Sequence, residues 1–88
     1  MAAALQRFTL IFYAPTSAVA ACKSAIFSAG AGRSDPHIGS VGALEEVPEI
    51  RVETLCVGED VVKRAVKALK GAHPYEEPAY HVIKLENY

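Results

Sequence analysis

Phe8-Thr9-Leu10-Ile11-Phe12-Tyr13 is a nearly continuous run of β-branched and aromatic residues, closed by Ala14-Pro15. Such a run reads as a central strand of a sheet, buried on both faces. In a chain of 88 residues, a strand of that kind leaves room for one small core and one domain, residues 1–88. The other segments have to cover or flank it.

They are punctuated clearly for most of the chain. Thr16 or Ser17 can cap a helix whose apolar positions Val19, Cys22, Ile26 and Ala29 recur at helical spacing, and Gly30-Ala31-Gly32 stops it. Residues 50–57 alternate apolar and polar before turning fully apolar, which predicts a second strand. Gly58-Glu59-Asp60 opens another helix with acidic residues at its positive end. Val62, Ala65, Val66 and Leu69 form its buried stripe and Gly71 ends it. Residues 79–85 make a closing strand, with Tyr80 and Val82 facing opposite to His81, Ile83 and Leu85. Two helices on one face of a mainly antiparallel sheet, an α+β sandwich, fits this order best.

The segment 31–49 has no clear period. It carries Asp35-Pro36-His37-Ile38-Gly39 and Gly42, then Glu45, Glu46 and Pro48. An irregular stretch of that length in so small a domain signals a functional loop or an unrecognised element.

Composition narrows the function classes. Apolar residues are 51% and the formal net charge is -1, so neither disorder nor a nucleic-acid-binding surface is indicated. Lys63, Arg64, Lys67 and Lys70 lie on one helix face and read as solvated surface. Cys22 and Cys56 are far apart, fall in apolar phase and form no CxxC pair, which predicts reduced core residues. Residues 1–4 lack the charged start of a signal peptide, and the apolar run at 10–14 is far too short to span a bilayer. The expectation is a cytoplasmic protein, with no membrane partner, that completes a small core by self-association.

Chemistry concentrates in His73-Pro74-Tyr75-Glu76-Glu77-Pro78. An imidazole, a phenol and two adjacent carboxylates sit there between prolines that stiffen the backbone. His73 with Glu76, helped by Glu77, offers nitrogen and oxygen donors suited to zinc or manganese. The structural alternative is that His73 and Glu76 satisfy backbone groups where helix gives way to strand. A second candidate is His37, whose neighbour Gly39 and nearby Gly42 would leave amides open to an anion; the glycines otherwise serve only the loop's dihedrals. The candidate ligand-binding set is therefore His37, Gly39, His73, Tyr75, Glu76 and Glu77, with His73 and Glu76 as possible metal ligands. His81 reads as a partly exposed strand residue and Arg51 with Glu53 as a sheet-surface ion pair. No Cys or Ser has a base and an orienting acid at recognisable spacing, so nucleophilic catalysis has no support.

Three stretches together resemble one family: Pro36-His37-Ile38-Gly39-x-Val41-Gly42, Glu49-x-Arg51-x-Glu53, and Ala72-His73-Pro74-Tyr75-Glu76-Glu77-Pro78-Ala79-Tyr80. They resemble the small inserted or free-standing domain of the Nif-three-like (GTP cyclohydrolase I type 2-like) proteins. That resemblance implies a ferredoxin-like fold similar to CutA and PII proteins, with sheet order 4-1-3-2 and trimeric assembly. Family members continue after the glycines with a further strand and hairpin, whereas here Arg33 runs almost directly into Asp35-Pro36. The second strand is therefore expected to be shortened or missing, or replaced by an extended edge segment. The histidine motifs of the family's two-metal domain are absent from this chain. The resemblance thus implies a non-catalytic, self-associating module, trimer favoured over dimer, that binds a small ligand or divalent metal. The alternative is a purely structural or interaction domain. An enzyme resembling ATP phosphoribosyltransferase, or its regulatory domain, has less support because no phosphoribosyl-pyrophosphate loop is present.

Overall fold

The computed structural model describes residues 5–32, 37–44 and 47–86, and gives the backbone course alone for 37–44 and 47. Its elements run β1 (Arg7–Pro15), a 3-10 turn (Thr16–Ala18), α1 (Val19–Ser28), β2 (His37–Leu44), β3 (Val47–Val57), α2 (Glu59–Ala72) and β4 (Tyr80–Lys84). The four strands form one sheet in the order β2-β3-β1-β4, with every neighbouring pair antiparallel. This is the α+β arrangement and the 4-1-3-2 order expected from the sequence and its resemblance.

The apolar run occupies the interior strand β1. Leu10, Phe12 and Ala14 face the helices and are fully buried with Val52 and Cys56 of β3. Val19, Cys22 and Ile26 of α1 and Val62, Ala65 and Leu69 of α2 close this core from one side. Each fully buried Leu, Ile or Phe contributes ~1.5–3 kcal/mol by leaving water. The expectation of burial on both faces holds only in part. Ile11 is buried on the opposite face, while Thr9 and Tyr13 are half-exposed, because no helix crosses that side. Both cysteines are buried and unpaired, as expected of core thiols. No helix among the described residues is long and apolar enough to cross a membrane.

Four local expectations need correction. Neither Thr16 nor Ser17 caps α1: a 3-10 turn intervenes, and no side-chain cap hydrogen bond is made. Gly71 lies inside α2, which ends one residue later, with His73 as its extended C-cap. The clash of Pro74 with a helical predecessor explains that stop better than glycine does.

The segment 31–49 does contain a second strand, and β3 begins at Val47 rather than residue 50. β2 pairs along β3 from His37↔Glu53 to Leu44↔Val47, with a register shift between Ile38 and Val41. Gly39 and Ser40 thus lie opposite the single residue Arg51, a one-residue bulge of the kind glycine accommodates. Small residues hide this strand from period analysis, because its pairing uses backbone groups that carry no sequence signature. Residues 33–36 and 45–46, including Asp35, Pro36, Glu45 and Glu46, lie outside the described residues.

Candidate functional site

The turn from α2 into β4 is anchored on one residue of the central strand. His73 donates its backbone N–H to Leu69 O at 2.8 Å and leaves the helix with φ -75° and ψ 139°. Its ring is buried, and Nε2 lies 2.7 Å from the carbonyl oxygen of Tyr13. Nδ1 accepts the N–H of Tyr75 at 3.1 Å. A nitrogen that accepts carries no proton, so Nε2 is the donor to Tyr13 and the ring is neutral in this arrangement. On the far side of the turn, Tyr13 donates its own N–H to Ala79 O at 3.2 Å.

Both ring nitrogens of His73 are therefore engaged with backbone groups, the role weighed in the sequence as the alternative to metal ligation. Glu76 does not share that role; it and Glu77 are exposed. The Tyr75 ring packs against the His73 ring at 4.9 Å between centroids and stays 40% exposed. A cleft of about 310 Å³ opens on the outer side, lined by Lys70, Glu76, Glu77, Pro78 and Tyr80. Lys70 Nζ sits 5.4 Å from the centre of the Tyr80 ring, a cation over an aromatic face. His73 is not part of that lining. No group of three or more His, Cys, Asp or Glu side chains converges to hold a metal ion among the described residues.

His37 lies elsewhere. It begins the edge strand β2 in register with Glu53 of β3, so β3 separates it from the strand to which His73 is bonded. Within one chain the two histidines are not brought together. Gly39 belongs to the bulge and not to a loop.

The open face of the sheet carries a group whose extent the sequence did not reveal. Arg51 Nη1 donates to Glu53 Oε1 at 2.9 Å, the surface ion pair expected from spacing alone. The strand register also places Arg51 opposite Tyr13. A hydrogen bond to Tyr13, followed by one to Glu53, holds the guanidinium above its ordinary range. His81 of β4 meets the Tyr13 ring edge-on at 6.2 Å. Only the alignment of β1 with both neighbours brings these residues into one row.

No family model matches the chain. The chain is 35% identical over 98 residues to a protein from Mycobacterium leprae named GTP cyclohydrolase 1 type 2 homolog, a match covering 85% of this chain and 25% of that protein. That alignment is longer than the 88 residues here, so the relative carries residues that this chain lacks. Among solved structures, the Bacillus cereus protein related to NIF3 superimposes with a TM-score of 0.78 at 27% identity, covering 98% of this chain and 27% of that one. CutA1 from Oryza sativa superimposes with a TM-score of 0.65 at 13% identity, covering 97% of this chain and 84% of that one, and shares the fold alone. The chain spans about a quarter of the length of the Mycobacterium leprae relative and of the Bacillus cereus structure. With its CutA-like fold and its His-Pro-Tyr-Glu-Glu-Pro turn, the chain belongs to the Nif-three-like family.

Proposed function

We propose that this chain is a non-catalytic module that self-associates through its open sheet face and holds a small ligand or divalent cation beside the 73–78 turn. The observation that carries this reading is the uncovered side of the sheet. Ile83, Leu55 and Tyr13 line it around the buried Ile11, and no helix of the described chain crosses over them. Ile83 is 48% exposed there. A domain this small gains core by covering such a face with a second copy. Three copies are the assembly that the sequence resemblance to CutA and PII proteins implies. The cleft of Lys70, Glu76, Glu77 and Tyr80 supplies both signs of charge beside an aromatic face, a donor set for a small polar ligand or a cation.

Sedimentation equilibrium of the protein and of Ile83→Glu tests the assembly. A multimer that the substitution dissociates is expected; a monomer at high protein concentration refutes it. Calorimetric titration with zinc, manganese and nucleotides, repeated on Glu76→Gln/Glu77→Gln, tests the cleft. Binding lost in the double variant is expected, and no heat with any of these ligands defeats the ligand-binding part.

A second reading has one observation of its own. Both ring nitrogens of His73 serve the backbone, which supports the turn as architecture alone, in a structural or interaction domain. Assembly without any ligand would select it. The cyclohydrolase name belongs to relatives of which this chain spans a quarter, and no catalysis is proposed for it.

A further inference from the structure

The sheet ends on one side in β4, which among the described residues pairs with β1 and with no other strand. Leu85 donates to Arg7 O and Ala79 accepts from Tyr13, bonds that continue the β1–β4 register by one position at each end. In an antiparallel ladder the bonded positions alternate, so Ala79, His81, Ile83 and Leu85 direct their backbone groups at β1. Tyr80, Val82 and Lys84 direct theirs outward, along the free edge.

Those same three residues face the helix layer, being in register with Phe12, Leu10 and Phe8. Tyr80 is partly buried against the core, with Lys70 of α2 over its ring, yet the next two stay uncovered: Val82 is 41% exposed and Lys84 is exposed. Between β4 and α2 lies a groove of about 280 Å³, with Val62, Val66, Tyr80 and Val82 as its apolar walls and Lys63 at its rim. Lys63, Lys67 and Lys70 recur at i, i+4 and i+7 along α2, which aligns them as a stripe on the flank beside this groove. Lys84 adds a fourth cation from the strand side. Lys63 is paired with Glu59 at 3.2 Å, whereas Lys67 and Lys84 have no ion pair among the described residues. Glu76 and Glu77 lie only at the Tyr80 end, beyond Lys70.

We infer that this edge docks an extended, acidic segment of another protein as an added strand. Backbone pairing to Tyr80, Val82 and Lys84 would hold the segment. Side chains on its helix-facing side would cover Val66 and Val82, and its carboxylates would meet Lys63, Lys67 and Lys84. The charge of the stripe selects the occupant: an acidic strand is attracted along the groove, while a basic one is repelled at every turn of α2. The open sheet face is not used, so this docking is independent of the self-association proposed above.

The test is fluorescence anisotropy of the whole protein with a labelled, end-capped peptide of alternating glutamate and valine, beside a lysine and valine counterpart. The glutamate peptide is expected to bind about tenfold or more tightly than the lysine peptide, and more weakly as salt rises. Val82→Pro removes an outward N–H while leaving the β1–β4 bonds in place, and edge strands tolerate proline. It is expected to weaken binding about tenfold. Lys67→Glu/Lys84→Glu alters only exposed side chains and is expected to do the same, which keeps the test valid if the proline variant folds poorly. Equal binding of the two peptides, no binding at ~1 mM peptide, or unchanged binding in the charge-reversed protein overturns the inference.

Discussion

His73 and Tyr13 are joined by a 2.7 Å hydrogen bond from a buried imidazole Nε2 to a main-chain carbonyl sixty residues away in sequence. Because Ala79 takes the N–H of the same Tyr13, the two ends of the 73–78 turn are fixed to one peptide unit pair of the central strand. The His-Pro-Tyr-Glu-Glu-Pro turn is thereby held by a single position of β1.

Replacing His73 by alanine strands the Tyr13 carbonyl and the Tyr75 N–H and leaves a void where the ring was. The expected loss is ~2–4 kcal/mol from unmet hydrogen bonds and lost packing. Urea unfolding of His73→Ala measures it. Hydrogen exchange at the Tyr13 amide should accelerate with it, because the Ala79 bond depends on the same anchor.

Two glycines should respond in opposite directions to alanine. At Gly32 φ is +68°, and a Cβ would meet Thr54 Oγ1 at 2.7 Å and Phe27 at 2.8 Å. Gly32→Ala is expected to cost ~1–3 kcal/mol for the backbone alone, with the crowding added. Gly71 has nothing within 4 Å of its would-be Cβ and lies in α2. Gly71→Ala should stabilise by ~0.5–1 kcal/mol through helix propensity and a less flexible unfolded chain. Thermal melts of the two variants, one lowered and one raised, check the pair.

Thr54 is buried at 4% exposure, and its Oγ1 has no hydrogen-bond partner among the described residues. An isosteric valine removes the unmet hydroxyl without opening a cavity. Thr54→Val is expected to gain ~1 kcal/mol, read as a higher urea midpoint with an unchanged slope.

Burial raises the thiols of Cys22 and Cys56 above their ordinary value of 9.0. The folded state therefore favours the protonated thiols more than the unfolded state does. The resulting stability is complete below pH 9.0 and is lost as pH climbs through and past it. Melting temperature should fall in that alkaline range, less steeply in Cys22→Ala/Cys56→Ala. Native protein at pH 7 should resist a thiol reagent that labels both residues in denaturant.

Much of the fold was legible because burial left periodic marks. Phe8 to Tyr13 announced the central strand, and Val62, Ala65 and Leu69 announced the inner face of α2. β2 was not legible, since Gly39, Ser40 and Gly42 give no alternation and its hydrogen bonds belong to the backbone. The candidate site was legible as a list of side chains but not as an arrangement. Nothing local says that His73 spends both nitrogens on Tyr13 and Tyr75, or that His37 belongs to the opposite edge of the sheet. The row joining Tyr13, Arg51, Glu53 and His81 exists only once three strands are in register, a relation that spacing along the chain does not encode.

The bulge at Gly39–Ser40 has a bearing on solubility. A sheet with two open edges can grow sideways, each copy adding its first edge to the last edge of the next, and an open stack has no natural end. The kink breaks the regular ladder on the β2 side into two short runs, 37–38 and 41–44. A strand arriving there meets an irregular edge, so the bulge disfavours lateral growth on the β2 side, while β4 keeps a regular edge.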